Sequence, residues 1–307
     1  MPTIAVVGSI ITDLAVLTPR FPQRGENLLA HRLQIGPGGK GANAAVAAAR
    51  LGAEAILVGR VGDDDFGRNE LAALRAEGVN TDAVSIDPEV QTGVAVIMVD
   101  DEGENTILVI IGANDRLRPE HVEAGLAPHW DRLDALLVNF EVPEASVAAA
   151  IRAGSEHGVP VIVDAGPPRP YGPDVWGRAT VISPNALEAA TLVGHPVEDD
   201  AAAEEAAREL LEAGPEAVVL KRGAAGALLA TRDEVQLIPS FQVDVVDTTG
   251  AGDAFSGALV VAMAEGKPLP EAVRFANAAG ALAVTKVGTL HAMPTRADVE
   301  SFLASRG

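Results

Sequence analysis

This sequence predicts an α/β fold, a parallel sheet with helices on both faces, and three features carry that prediction. From about residue 133 onward, short apolar runs at 133–139, 159–164, 181–183 and 217–221 alternate with helical stretches at about 143–157 and 200–213. Residues 3–8 form a short, nearly all-apolar run, as expected of a strand buried on both faces. Polar residues follow the strand ends: Glu141, Asp164, Asn185 with Glu188, and Lys221 with Gly223 and Gly226. Sheets of this kind build their sites at those carboxyl ends.

Composition narrows the function. The 307 residues are 48% hydrophobic, enough for a large core. A formal net charge of −20 argues against nucleic acid as a partner. There is no cysteine, so disulfides, thiolate nucleophiles and cysteine metal sites are excluded. Aromatic residues make up only 3%, too few for a base-stacking platform. No apolar run reaches membrane-spanning length and the chain opens on a strand without a signal peptide, so a soluble cytoplasmic protein with no membrane partner is expected.

In chain order, Asp13 follows the first strand, and residues 14–35 lack a helical period, which suggests strands and loops outside the main sheet. The run from Gly36 to Asn43 (GPGGKGAN) leads into an alanine-rich helix over 44–51. It fails the P-loop pattern, because Gly41 follows Lys40. It matches a dinucleotide-binding GxGxxG only loosely, without a clean preceding strand or the later acidic residue. A third reading is a loop that closely approaches a polyhydroxylated ligand, with Lys40 and Asn43 as donors; a plain structural turn is the alternative. Residues 55–60 read as a strand and 68–77 as a helix, with the acidic run at 63–65 capping it rather than holding a metal. Residues 93–99 and 106–111 alternate around an acidic turn, a hairpin that could join 14–35 in a small separate sheet. The six histidines are scattered without metal-ligand spacing.

The most informative stretch is Asp247 to Leu259 (DTTGAGDAFSGAL). It follows a strand-like run at 241–246 and opens a helix whose apolar face carries Phe255, Ala258, Leu259, Ala262 and Met263. Gly250, Ala251 and Gly252 lie where that helix begins, so backbone N–H groups and the helix dipole form an anion hole suited to phosphate. Asp253 beside it could take a proton from a hydroxyl attacking phosphorus. It could equally be an acidic residue that only complements the dipole. A further amphipathic helix, 272–283, follows as the last in the chain.

These residues resemble the ribokinase-like (PfkB) carbohydrate kinases over essentially the whole chain, and most of all its ribokinase branch. Residues 38–43 (GGKGAN) are similar to the family's N-terminal signature and 247–253 (DTTGAGD), with Gly257-Ala258, to its C-terminal one. Gly8-Ser9, Gly103-Glu-Asn105 and residues 268–276 (PLPEAVRFA) add to the likeness. The resemblance implies a Rossmann-like three-layer α/β/α domain over 1–307, with a discontinuous β lid from about 12–40 and 91–114 that serves as a homodimer interface. It implies transfer of the ATP γ-phosphoryl group to a sugar hydroxymethyl group, D-ribose first. Asp253 would be the base, and the amides of Gly250, Ala251 and Gly252 the anion hole. Asp13, Gly39, Lys40, Asn43 and Glu141 would hold the sugar. Lys221, Gly223, Gly226, Gly252 and Asn277 would line the nucleotide site, with Asn185 near the phosphates and Glu188 reaching Mg²⁺ through water. Asp247, Thr249, Ala283, Lys286 and Gly288 match a K⁺ site.

Three departures bear on the substrate and cofactors. The ribokinase branch carries Asn where this chain has Ile11, and an apolar side chain cannot pair with a sugar hydroxyl; 2-deoxyribose is therefore the alternative acceptor. Ala292 stands at a K⁺-site serine, and Lys221 at a threonine. A ketohexose, a sugar acid or a nucleoside are further acceptors to weigh. From other classes come a sugar- or nucleotide-binding regulator without catalysis, and a nicotinamide-dependent dehydrogenase resting on GxGxxG alone.

Overall fold

The structure, a computed structural model, describes residues 1–306. Thirteen strands form two sheets. The larger has nine strands: β1 (Thr3–Val7), β4 (Glu54–Gly62), β5 (Val84–Asp87), β8 (Ala135–Asn139), β9 (Val161–Asp164), β10 (Val181–Ser183), β11 (Ala217–Lys221), β12 (Ala227–Thr231) and β13 (Val235–Ile238). Their spatial order is β13-β12-β11-β10-β9-β8-β1-β4-β5. Seven of them, β11, β10, β9, β8, β1, β4 and β5, run parallel, and β12 and β13 add an antiparallel edge. The smaller sheet has four strands, β2 (Ile11–Leu17), β3 (Arg32–Gly38), β6 (Gly93–Val99) and β7 (Asn105–Ile110), in the order β3-β2-β6-β7.

The central strands explain the layering. Successive side chains point to opposite faces, so Ile4 and Val6 enter one core while Ala5 and Val7 enter the other. The first core is closed by α1 (Lys40–Arg50), α2 (Asp65–Ala76), and the late helices at 251–264, 269–283 and 296–305. The second is closed by α3 (Pro119–Leu126), α4 (Glu144–Glu156), α5 (Pro173–Trp176), α6 (Ala186–Val193) and α7 (Asp200–Glu212). The late helices are α8 (Ala251–Ala264), α9 (Leu269–Ala283) and α10 (Arg296–Ser305). Helix α8 is buried along most of its length, because Gly257 lets it close on α1; a Cβ there would lie 2.6 Å from that of Ala47.

Three expectations fail. Residues 241–246 are not a strand: β13 ends the sheet at Ile238, and Val245 and Val246 are exposed. The sheet is not wholly parallel, since β12 and β13 are paired back by hairpins. Helix α9 is not the last, because Thr295 starts α10 with a capping box to Asp298. No described helix is long and apolar enough to cross a membrane.

Candidate active site

Helix α8 begins at Gly250, whose φ of +76° lies in the left-handed region that glycine tolerates. The Ala251 amide donates to the Thr248 carbonyl at 3.3 Å, a long contact, so this member of the expected anion hole is partly engaged. The Gly252 position is open: an added Cβ would meet nothing within 4 Å. First-turn amides lack acceptors within the helix, and they leave positive potential here.

Asp253 sits in that first turn with only 7% of its side chain exposed. Its Oδ2 accepts from Asn43 Nδ2 at 2.8 Å, and its Oδ1 lies 3.4 Å from Lys40 Nζ. Lys40 and Asn43 are three residues apart on α1 and share a face, which is why both reach the same carboxylate. The Asp253 charge, joined by those of Asp164, Glu141 and Glu188, overrides burial and holds the Lys40 ammonium well above the ordinary lysine range.

A polar wall surrounds this pair. Glu141 Oε2 accepts from Ser9 Oγ at 2.5 Å and from the Lys40 amide at 3.2 Å. Asp13, on β2, accepts from Thr289 Oγ1 at 3.5 Å. Burial, with the charges of Glu141 and Asp253, raises Asp13 to about 7.

Asp164, at the end of β9, links α8 to β11. Its Oδ2 accepts from Ser256 Oγ at 2.6 Å, and its Oδ1 from Lys221 Nζ at 3.0 Å. Burial opposes its charge, but Lys221 and Lys40 prevail and keep it below the ordinary carboxylate value. Glu188 Oε2 is 4.0 Å from Lys221 Nζ. Burial raises Glu188 despite that lysine, with the Asp164 charge adding to the shift. Glu188 also closes a capping box with Asn185: its oxygens accept from the Asn185 amide at 2.7 Å and from Asn185 Nδ2 at 2.9 Å.

The remaining expected residues form the flanks. Gly223 and Gly226 bracket the short turn after β11, both with positive φ. Asn277 Nδ2 is spent on the carbonyls of Ile238 and Pro239, so it braces the end of β13. Asp247 takes the Thr249 amide, the Thr249 hydroxyl and the Gly288 amide, tying two loops together; despite burial these bonds keep it below the ordinary value. The Ala283 carbonyl accepts from the Lys286 amide at 3.3 Å. Gly39 caps α1 at a φ of +91°.

Sequence reasoning singled out neither Ser256 nor Thr289. Ser256 is three residues after Asp253 on one helix face, a spacing that could have revealed it. Thr289 carries no local signal, since only the fold brings it to Asp13.

A model described as "pfkB family carbohydrate kinase" matches residues 1–296. The chain is 40% identical to a ribokinase of Bacillus subtilis (strain 168), covering 99% of this chain and all of the relative. It is 35% identical to a deoxyribokinase of Salmonella typhi, covering 98% of each. Among solved structures, the Arabidopsis thaliana ribokinase complexed with ribose and ATP superposes with a TM-score of 0.89 at 34% identity, covering 98% of each chain.

Proposed function

This chain belongs to the pfkB family of carbohydrate kinases and is an ATP-dependent sugar kinase, and we propose that its acceptor is the hydroxymethyl group of D-ribose. The observation that carries this reading is the meeting of Asp253 with the open first turn of α8, flanked by the donors Lys40 and Asn43. Phosphoryl transfer needs positioning, charge neutralisation and a base, and little else.

In this mechanism Asp253 accepts the proton of the attacking hydroxyl. Asn43 and Lys40 hold that carboxylate in place. The first-turn amides of α8 stabilise charge that develops on the migrating phosphoryl group. Asp13, Gly39, Lys40, Asn43 and Glu141 orient the sugar. Lys221, Asn185 and the turn between Gly223 and Gly226 receive the nucleotide.

Two ions fit the site. Both Glu188 oxygens are engaged by Asn185, so Glu188 suits Mg²⁺ held through water rather than directly. Among the described residues no group of three or more His, Asp or Glu is arranged to bind a metal. Asp247, Thr249, Ala283, Lys286 and Gly288, mostly through main-chain carbonyls, would supply the oxygen ligands that a hard cation such as K⁺ prefers, and Asp247 already ties the Thr249 and Gly288 loops together. When bound, such ions would neutralise phosphate charge.

The small sheet, within about 12–40 and 91–114, would act as a lid on one domain. It would also pair with a second copy of the chain. Leu33, Ile35 and Ile107 to Ile110 are exposed, and the outer edge of β7 has no strand beside it, an arrangement that favours a covering partner. A cytoplasmic location accords with ATP as co-substrate.

A second reading is supported by Ile11. It is 3% exposed and sits opposite Gly38 and Gly93 at the root of the small sheet. Its apolar side chain cannot itself pair with a sugar hydroxyl, which favours 2-deoxyribose, the sugar in the name of the Salmonella relative's activity. The test is ADP release with ATP and Mg²⁺ against both sugars, with and without K⁺. A higher kcat/KM for ribose sustains the first reading. A preference for deoxyribose of about tenfold, reversed by Ile11→Asn, replaces it with the second. Turnover of neither removes the pentose reading.

A further inference from the structure

Glu70 on α2 is 2% exposed and belongs to no part of the mechanism above. A buried carboxyl is costly and persists only where its partners matter. Its Oε1 accepts from Thr12 Oγ1 at 2.7 Å, and the Gly38 amide also favours its charged form. Its Oε2 is buried without a partner. Thr12 and Gly38 lie on β2 and β3, where each strand leaves the main body for the small sheet.

The register gives this contact a consequence. Neighbouring residues of a strand face opposite ways, so Thr12 turns to Glu70 while Asp13 turns to the other face. Asp13 lies directly over Gly38, where an added Cβ would come within 2.4 Å of its Oδ2. A grip on the back of β2 therefore sets where the Asp13 carboxylate stands.

We propose that Glu70 is a positioning residue for the sugar site: by holding Thr12 it clamps the root of the small sheet and fixes Asp13 against the acceptor. Part of this inference rests on Asp13 contacting the sugar; the clamp itself does not. A buried acid is used rather than an apolar contact because a directional hydrogen bond specifies the position of a strand, whereas apolar packing tolerates sliding.

The test uses the full-length protein with Glu70→Leu, Glu70→Gln and Thr12→Val. Hydrogen exchange of residues 11–17 and 32–38, measured without any sugar, should speed up by about tenfold or more in Glu70→Leu and Thr12→Val, and should stay near the wild-type rate in Glu70→Gln, which keeps the acceptor. KM for the sugar should rise by about tenfold in the first two variants, while KM for ATP changes by less than about twofold. Thr12→Val, a near-isosteric change, covers the case in which Glu70→Leu fails to fold. Unchanged exchange in Thr12→Val overturns the clamp. Altered exchange with unchanged sugar KM keeps the clamp but overturns its link to Asp13. An equal rise in both KM values makes Glu70 a general stability residue and overturns the proposal. If no sugar is turned over by the wild type, the exchange data still decide the clamp, while the acceptor reading falls separately.

Discussion

Asp253 Oδ2 and Asn43 Nδ2 lie 2.8 Å apart although 210 residues separate them in the chain. The contact joins the first turn of α8 to the first face of α1. Both residues are buried, and the aspartate has little freedom to leave the position from which it would take a proton.

Replacing Asp253 with Asn removes the base but keeps the shape. General-base catalysis contributes about 10²–10⁴-fold, so kcat should fall by about that much while sugar binding by calorimetry persists. Turnover at the wild-type rate would show that another group takes the proton.

Lys40→Met tests the cation between Asp253, Asp164 and Glu141. With its ammonium held far above the ordinary range, Lys40 stays charged throughout the accessible pH range. The variant should lose about a hundredfold in kcat/KM, with no new ionisation in the pH profile. Equal loss in a Lys40→Arg variant would point to shape rather than charge.

Asp13 predicts an unusual pH dependence of stability. Burial, with the charges of Glu141 and Asp253, raises its carboxyl from the ordinary aspartate value of 3.8 to about 7. Between those values the native state binds more protons than the unfolded one, so this group's contribution to stability falls as pH rises from about 4 to 7. Glu70, raised to about 8 by burial, acts with the same sign over a window that extends higher. Ligand-free Asp13→Asn should therefore gain Tm relative to wild type at pH 8 and gain little at pH 4, as read by thermal melts. Sugar binding to the ionised Asp13 should strengthen as pH rises through about 7, and Asp13→Asn should flatten that trend.

Gly226→Ala should damage the nucleotide side. The residue has a φ of +103°, and an added Cβ would lie 2.2 Å from the Ile238 carbonyl oxygen. Strain of this kind costs about 1–3 kcal/mol or more, so Tm should fall and KM for ATP should rise ahead of KM for the sugar. Gly223→Ala, with open space around it, should be milder despite its positive φ of +55°.

Much of the sheet was legible because central strands are buried on both faces and read as continuous apolar runs, as β1, β8 and β11 do. The hairpin of β6 and β7 was legible from its alternation and acidic turn. The run at 241–246 misled, since its apolar residues line an exposed loop; the same composition serves a strand or a loop depending on what lies beside it. β12 and β13 escaped notice because both are short, and the alanines of β12 carry little β signal.

By itself the sequence determined the α/β alternation and the two glycine-rich segments around Lys40 and Gly250. Those depend on local chemistry, namely side-chain period, glycine conformational freedom and the orphan amides of a helix start. Only the tertiary structure decided that Asn43 and Lys40 meet Asp253, that Ser256 and Lys221 share Asp164, and that Glu70 reaches Thr12. Such contacts join residues far apart in the chain, and which polar groups meet is set by how helices and sheets pack, since a buried polar group must find its partner wherever the fold brings one.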